Sequence, residues 1–419
     1  MPGNGYNCRP LRPGRRTTRD LLLLTAVLAI LLLYLVCERV RLDRACRRVT
    51  RRIAVTGTRG KSGVTRLVAA GLRASGARVV AKTTGSKPAL ILPDGSEREI
   101  FRPGLASVRE QARLVCLAAE LGADTLVAEM MSIGAECLAA ESRSILRPGT
   151  VAVTNVRLDH LDDMGRTKDR IAETLASAFP PRGTVFVPIE EVHPAFENAA
   201  ARAGATLRPV ARAAGRPDEG GAPAARLDEF EPNVRLARAV LASLGVDEET
   251  ARRGMASARP DFGSLRAWHV PWGDGTPAAL CVSAFAANDP ESTSVVLARI
   301  RARLPVEGRP LVGLLCLRED RGDRTLQWAG AAANGFFRDF SAVVLAGPAS
   351  RAALGRFHKG REAGRPAVTA FAGRTPEALM DHVFSSVPGG PAIIGLGNIV
   401  GWGERLVRFW NEKGTAYDP

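Results

Sequence analysis

The sequence predicts an α/β protein with a parallel sheet, and three observations support this. Short, continuously apolar segments, typical of strands buried on both faces, alternate with helical segments along most of the chain. A glycine-rich turn joins the first of these strands to a helix. The alternation then begins again near Ser264, after an irregular stretch. We therefore expect a central α/β domain followed by a smaller C-terminal α/β domain.

The elements follow in order along the chain. In the first series, strands are predicted over 51–56, 78–82, 124–129, 150–154 and 184–188, with helices over 62–74, 108–121, 169–179 and 233–244. The stretch 199–228 is rich in Ala, Gly, Arg and Pro, which predicts an irregular surface excursion. In the second series, strands are predicted over 280–283, 311–316, 342–346, 367–371 and 392–395. These elements divide the chain into a basic N-terminal segment, 1–50, a central domain, 51–262, and a C-terminal domain, 263–419.

Composition narrows the class of protein. Hydrophobic residues make up 46% and charged residues 24% of the 419 residues, which excludes disorder, collagen or coiled coil for the whole chain. The formal net charge of +15 indicates either a solvated basic surface or an anionic partner. The sequence contains no recognisable nucleic-acid module, and aromatic residues make up only 5% of it, so we expect no nucleic-acid partner. Seven cysteines without a CxxC pair favour a reducing compartment.

The segment 21–37 is an uninterrupted apolar run with arginines on both sides. Its length is at the short end for a membrane-spanning helix. A cleaved signal peptide and a buried helix are the alternatives, but no small-residue cleavage site follows the run. We interpret the run as an uncleaved membrane anchor. Charge alone does not orient it, since both flanks are positive.

The strongest motif is the turn between the first strand and its helix. Glycines in such a turn let backbone N–H groups converge on an anion at the helix N-terminus. Lys61 is predicted to contact the β- and γ-phosphates of ATP, and the Ser62 hydroxyl to bind Mg²⁺. A strict Walker motif would have glycine where this chain has Val55. The predicted phosphate-binding residues are Gly57, Thr58, Arg59, Gly60, Lys61, Ser62 and Gly63. Because ATP is cytoplasmic, we expect the domains to lie on that side of the membrane.

The turn, with three segments that follow it in register, resembles the Mur ligases and folylpolyglutamate synthases, which are ATP-dependent amide ligases. The segments contain Glu129 at a strand end, His160 in Thr-Asn-Val-Arg-Leu-Asp-His, and Asn233 at the head of a helix. The resemblance implies a P-loop, Mur-ligase-like central domain. It also implies that Glu129 binds the Mg²⁺ held by Ser62, that His160 binds a second Mg²⁺, and that Asn233 contacts adenine. Lys61, Glu129 and His160 are thus the implied catalytic residues.

Within that superfamily, the chain resembles the ligase subunits of poly-γ-glutamate synthases. Shared segments are 81–85, 286–292, 318–324 and 395–401, together with the apolar helix before the loop. This resemblance implies ATP-dependent joining of glutamate to an anionic poly-γ-glutamate chain through an acyl phosphate. It further implies a place in the cell membrane beside small membrane subunits of a synthesis and export complex.

Two positions depart from the superfamily pattern. Leu175 stands where the related enzymes carry a carbamylated lysine, so Asp159 or Asp162 would have to substitute, or the second metal is weak. Ser283 stands where the Mur enzymes have an aspartate, so ribose recognition must differ. Substrate carboxylates are assigned to Lys82, Thr83, Thr84, Arg318, Arg321 and Arg324. The alternative for these arginines is a solvated loop paired with Asp320 and Asp323.

Other functions stay open at this stage. Another Mur- or folylpolyglutamate-type amino-acid ligase would share the motifs. A membrane-tethered P-loop ATPase or kinase that regulates capsule export would explain the loop and Glu129, but neither His160 nor Asn233. A non-catalytic assembly subunit does not explain the intact Gly60-Lys61-Ser62.

Overall fold

A computed structural model of the chain describes residues 16–85, 87–102, 104, 106–212, 230–273, 277–285, 287–358 and 366–417. The first element is a single helix, α1, over Arg16–Arg48. It contains the apolar run 21–37, whose residues are all exposed. By length and composition, α1 is the one described helix that could cross a membrane.

Eight of the described strands form the sheet of the central domain, in the order β4-β3-β2-β5-β1-β6-β7-β8. The six strands from β2 to β8 in this order are parallel, whereas β3 and β4 form an antiparallel hairpin at one edge. Their bounds are β1 Arg51–Thr56, β2 Val79–Thr83, β3 Ala89–Ile91, β4 Glu97–Glu99, β5 Thr125–Glu129, β6 Thr150–Val153, β7 Thr184–Pro188 and β8 Thr206–Val210.

Helices cover both faces of this sheet. Their bounds are α2 Lys61–Ala74, α3 Arg109–Glu120, α4 Ala135–Ala140, α5 Leu161–Met164, α6 Lys168–Ala176, α7 Pro194–Ala203, α8 Glu231–Ser243 and α9 Glu248–Ala256. A π-helical turn, Glu141–Leu146, continues α4, and a 3-10 turn, Ile189–Glu191, follows β7. Two apolar clusters cover the central strands of the sheet, one on each face. This layering confirms the predicted α/β class, because continuously apolar strands need cover on both faces.

A second sheet of seven described strands builds the C-terminal domain, in the order β13-β12-β11-β14-β10-β9-β15. Its strands are β9 Arg266–Val270, β10 Ala279–Ser283, β11 Leu311–Cys316, β12 Ala342–Ala346, β13 Ala367–Ala370, β14 Ala392–Gly397 and β15 Thr415–Tyr417. Its helices are α10 Pro290–Arg303, α11 Gly322–Ala333, α12 Ser350–His358, α13 Pro376–Ser386 and α14 Glu404–Lys413. The connection between α9 and β9 separates the two domains.

The structure corrects part of the predicted excursion over 199–228. Residues 199–203 complete α7, and 206–210 form the edge strand β8. Alanine-rich composition is compatible with a helix, and β8 is mostly exposed, so it lacks the apolar run that would reveal a strand. The part of that prediction over 213–228 lies outside the described residues. The short hairpin β3–β4 and the antiparallel strands β9 and β15 were not predicted either.

Candidate functional site

The predicted phosphate loop lies between β1 and α2, with two glycines in left-handed backbone conformation. Gly57 has φ 123°, and a side chain there would meet Thr154 Oγ1 at 2.1 Å. Gly60, which caps α2, has φ 79°, and a side chain there would meet Asn233 Nδ2 at 2.7 Å. Only glycine combines these angles with so little space. The loop therefore presents its backbone at the positive end of a 14-residue helix.

Lys61, the first residue of α2, folds back over this loop. Its Nζ donates to the carbonyl oxygen of Gly57 at 2.8 Å. Burial lowers the pKa of the Lys61 ammonium, while Glu129 and Asp159 act to raise it. The charge thus lies inside the loop, where it can compensate negative charge on a bound phosphate.

Ser62 and Glu129 come together as predicted. Ser62 Oγ donates to Glu129 Oε2 at 2.7 Å, and the Thr84 backbone N–H donates to the same oxygen at 2.7 Å. No cluster of three or more His, Cys, Asp or Glu side chains suited to a metal occurs within the described ranges. Hydroxyl and carboxylate oxygens next to a phosphate site nevertheless suit Mg²⁺, which takes few protein ligands and completes its shell with water and phosphate. These residues fit the ion that the family implies.

Asp261 is a second carboxylate at this place, and no motif in the chain pointed to it. A side chain at Gly85 would lie 2.8 Å from Ser62 Oγ and 3.2 Å from Asp261 Oδ2, so both atoms face the space that this glycine leaves open. Burial raises the pKa of Asp261, Arg66 acts to lower it, and Glu129 raises it further. Arg66 contacts Asp261 at 3.5 Å.

Asn155, in the Thr-Asn-Val-Arg-Leu-Asp-His segment over 154–160, is hydrogen-bonded to the phosphate loop. Asn155 Oδ1 accepts hydrogen bonds from Thr58 Oγ1 at 2.7 Å and from the Arg59 backbone N–H at 3.0 Å. Asn155 Nδ2 donates to the Arg59 carbonyl oxygen at 3.0 Å. Asn155 therefore stabilises this conformation of the phosphate loop.

Asp159 is the centre of an ion-pair network between the domains. Arg59 approaches it at 3.3 Å from the phosphate loop, and Arg324 donates to it at 2.9 Å from α11. Burial raises the pKa of Asp159, but Arg59, His160 and Arg324 outweigh this effect and lower it to about 2. Arg59 also contacts Asp289 at 3.1 Å. The loop that binds phosphate is thus bonded directly to the C-terminal domain.

His160 lies beside this network with a left-handed backbone, φ 47°. Its Nε2 is 3.6 Å from Asp159 Oδ2. Burial lowers the pKa of His160, which favours the neutral imidazole that a metal ligand requires. Of the two possible substitutes for the missing lysine, Asp159 is buried and bonded to arginines, whereas Asp162 is 83% exposed. Leu175 itself is a core residue, 1% exposed.

A cavity of about 510 Å³ connects the phosphate loop to the C-terminal domain. Both polar and apolar side chains line it. The polar residues include Lys61, Ser62, Glu129, His160, Asn233, Asp261, Arg318, Arg321 and Arg324, and the apolar residues include Phe230, Leu265, Phe285, Val295 and Val296. Most of the predicted site residues therefore share one cavity, which is large enough for a nucleotide.

Asn233 lies on the cavity wall at the first turn of α8, beside Gly60 and Gly63. It is therefore adjacent to the phosphate loop.

Ser283 stands in the stretch where the Mur enzymes have an aspartate. Its hydroxyl is buried at the cavity wall, and no hydrogen-bond partner for it is found in the described part of the chain. A buried hydroxyl in this state is available to a bound ligand.

The predicted substrate residues divide into two groups. Arg318 and Arg321 line the cavity, although Arg318 also forms a bidentate pair with Asp320 at 2.6 and 2.8 Å. Lys82, in contrast, is 1% exposed and contacts Glu110 at 2.7 Å. Thr83 is completely buried, and Thr84 contacts Glu129 through its backbone. Among residues 82–84, only Thr84 directly contacts a residue of the cavity wall, and the assignment of these residues to substrate stays a prediction.

Comparison with known proteins agrees with this geometry. Residues 55–210 match the model of the Mur ligase middle domain, and residues 271–413 match that of the poly-gamma-glutamate synthase CapB C-terminal domain. The chain is 31% identical to PGA synthase CapB of Bacillus subtilis over 73% of this chain and 77% of that protein. It is 32% identical to the capsule biosynthesis protein CapB of Bacillus anthracis over 66% of this chain and 59% of that protein.

Solved structures support the fold. Escherichia coli FolC in complex with DHPP and ADP has a TM-score of 0.62 at 17% identity, over 90% of this chain and 91% of that one. The bifunctional folylpolyglutamate synthase/dihydrofolate synthase of Yersinia pestis, complexed with AMPPNP and Mn, has a TM-score of 0.59 at 15% identity, covering 89% and 92% of the two chains.

Proposed function

The chain belongs to the poly-γ-glutamate synthase CapB family of ATP-dependent amide ligases, and we propose that it joins glutamate to a growing poly-γ-glutamate chain. The observation that carries this proposal is the shared cavity, in which the phosphate loop and Glu129 face the arginines of the C-terminal domain. One side suits ATP and the other suits a polycarboxylate.

The reaction must first activate a carboxylate, because an oxide is not a viable leaving group at neutral pH. A γ-carboxylate oxygen of the acceptor attacks the γ-phosphorus of ATP, the bond to the ADP oxygen breaks, and an acyl phosphate forms. The amine of the incoming glutamate then attacks the acyl carbon. Phosphate leaves, the nitrogen loses a proton, and the products are a γ-amide, ADP and phosphate.

The residues of the chain act in this sequence mainly by position and charge. Lys61 compensates negative charge on the transferred phosphoryl group from its place inside the loop. Ser62 and Glu129 would hold Mg²⁺, which supplies charge neutralisation at the phosphates when bound. His160 would hold a second ion. Asn233, next to the loop, would contact adenine.

The acceptor is a polyanion, and the cavity contains the charges to bind it. Arg318 and Arg321 lie on the wall contributed by the C-terminal domain and can form bidentate bonds to carboxylates. Arg324 has a different role from the one expected from sequence, since its guanidinium is bonded to Asp159 and Asn398. It positions the two domains around the substrate.

We further propose that α1 anchors the protein in the cell membrane with both domains on the cytoplasmic side, where ATP is available. The exposed apolar surface of the helix over 21–36 supports this location. Small membrane subunits of a synthesis and export complex would then lie beside α1.

The direct test is to reconstitute the full-length protein in lipid vesicles with ATP, Mg²⁺ and glutamate. We expect glutamate-dependent ADP release and γ-linked polymer, identified by its resistance to α-peptidases. ADP release that does not depend on glutamate would instead favour a tethered ATPase. Release that depends on a different amino acid or acceptor would favour another ligase of the superfamily.

A further inference from the structure

The C-terminal half of α1, after the apolar run, is fixed to the central domain. Leu42, Ala45 and Cys46 are buried in the apolar cluster that also contains Leu114 and Val115 of α3. On either side of this contact, polar bonds fasten the helix. Arg147 contacts Asp43 at 2.6 Å, and Arg109 contacts Glu38 at 2.9 Å. Because α1 is one continuous helix, its apolar run is held at a fixed angle to the domain.

The direction of α1 places that run at a particular edge of the sheet. α1 ends two residues before β1, and α3 precedes the parallel strand β5, so both helices begin at the edge where these strands end. The ion pair between Lys82, near the end of β2, and Glu110, in the first turn of α3, shows that the start of α3 lies at this edge of the sheet. The phosphate loop and Glu129 lie at the same edge. The apolar run therefore leaves the domain on the side of the catalytic residues.

One hydrogen bond relates the start of α3 to the end of the apolar run, and so to its depth relative to a membrane. Arg109 Nη2 donates to the hydroxyl of Tyr34 at 2.9 Å. Tyr34 belongs to the last turn of the apolar run, a position that tyrosines favour at the boundary between lipid tails and headgroups. With the apolar run in a membrane, the start of α3 would lie at the depth of the headgroups.

Phe101 lies close to this point. Its neighbour Arg102 forms a bidentate pair with Glu110 in the first turn of α3, at 2.8 and 2.9 Å. Phe101 is 86% exposed, more than any other large apolar side chain among the described residues, including those of the apolar run. A single exposed apolar side chain is common on a protein surface, so what distinguishes Phe101 is its place near the end of the apolar run.

We infer that Phe101 inserts into the interfacial region of an anionic bilayer, as a second membrane contact beside α1. This inference rests on the membrane location given under the proposed function. Phe101 and α1 together would hold the catalytic edge of the sheet toward the membrane. Arg39, two residues beyond the end of the apolar run, favours a negatively charged lipid surface.

The experiment uses full-length protein in vesicles of zwitterionic and anionic lipid, with brominated acyl chains as quenchers of indole fluorescence. Phe101→Trp supplies a reporter at the proposed contact. The matched control, Glu120→Trp, places an indole at the far end of α3, about 16 Å from the start of that helix at 1.5 Å per residue. The five native tryptophans all lie between 268 and 410 and give the background, which is measured in the wild-type protein.

We expect most of the emission that Phe101→Trp adds to be quenched and shifted to shorter wavelength in vesicles, while that of Glu120→Trp is unchanged. A protein that floats with the vesicles but whose Phe101→Trp indole is not quenched overturns this inference alone, and points to a protein occupant of the site. A protein that does not float overturns the membrane location and this inference with it. Unfolding temperatures equal to that of the wild type show that both variants are folded.

Discussion

Asp159 and Arg324, which are separated by 165 positions in the chain, form a buried hydrogen bond of 2.9 Å that joins the two domains beside the phosphate loop. Asp159 is 6% and Arg324 7% exposed. Arg59, from the loop itself, approaches the same carboxylate. Nucleotide binding at the loop is therefore connected to the relative position of the domains.

The interaction between Asp159 and Arg324 can be tested with a double-mutant cycle. Asp159→Asn leaves the buried Arg324 without its carboxylate, and Arg59 with Asp289 alone, whereas Arg324→Gln leaves Asp159 with Arg59. We expect Asp159→Asn to cost more, roughly 3–5 kcal/mol of stability, and the double variant to cost less than the sum of the two. Denaturant unfolding and ATP turnover of all four proteins provide the measurement. Strict additivity would show that the two residues do not interact.

Lys61→Ala is expected to lower glutamate-dependent ATP turnover by roughly 100- to 1000-fold, because one buried charge at the phosphates is lost. The fold should be unaffected, since the Lys61 ammonium bonds only to the loop that it serves. Lys413→Ala, an exposed lysine at the end of α14, is the matched control. Equal turnover in the two variants would contradict the mechanism.

His160→Ala tests the second metal. We expect the variant to need more Mg²⁺ for half-maximal turnover and to be at least about tenfold slower at saturating ATP. His358→Ala, an exposed histidine of α12, serves as the comparison. If the magnesium titration of His160→Ala coincides with that of the wild type, no metal is bound there.

The Lys82–Glu110–Arg102 cluster predicts a dependence of stability on pH. Burial raises the pKa of Glu110, but hydrogen bonds from Arg102 and Lys82 outweigh it and lower the pKa from 4.5 to about 2. The cluster thus stabilises the fold fully above 4.5, and this contribution is lost as the pH falls toward 2.

In Glu110→Gln, the decrease of the unfolding temperature between about pH 5 and about pH 3 should be smaller than in the wild type. The variant should also be less stable at neutral pH, because Lys82 stays buried without its carboxylate. The slope is therefore the diagnostic quantity. Glu99→Gln, on the exposed strand β4, should retain the wild-type slope.

Truncation separates the two halves of α1. Removal of 1–37 should give a folded protein that no longer associates with membranes. Removal of 1–48 should in addition expose the apolar surface of α3, since Leu42 alone contributes about 1.5–3 kcal/mol by burial. Membrane flotation and thermal unfolding of both truncations test this. If the protein without 1–48 is as stable as the protein without 1–37, residues 38–48 of α1 do not contribute to the stability of the fold.

Local patterns were enough to predict several features of this protein. Continuously apolar runs predicted the central strands of both sheets, because a strand covered on both faces needs no polar alternation. The phosphate loop was recognisable because its glycines, Lys61 and Ser62 are consecutive, and short-range geometry alone brings them together. Edge strands such as β8 and β15 were missed, since an exposed strand is not required to be apolar.

The pairings across the chain were decided only by the tertiary structure. Asp261 reaches the Ser62–Glu129 site, Arg324 bonds to Asp159 instead of lying free in the cavity, and Lys82 is buried against Glu110. Arg109 reaches Tyr34 only because α1 packs on α3. Charge and polarity can be read from the sequence, but a side chain's partner depends on which distant elements pack together. That is set by burial of the whole apolar surface and not by any local motif.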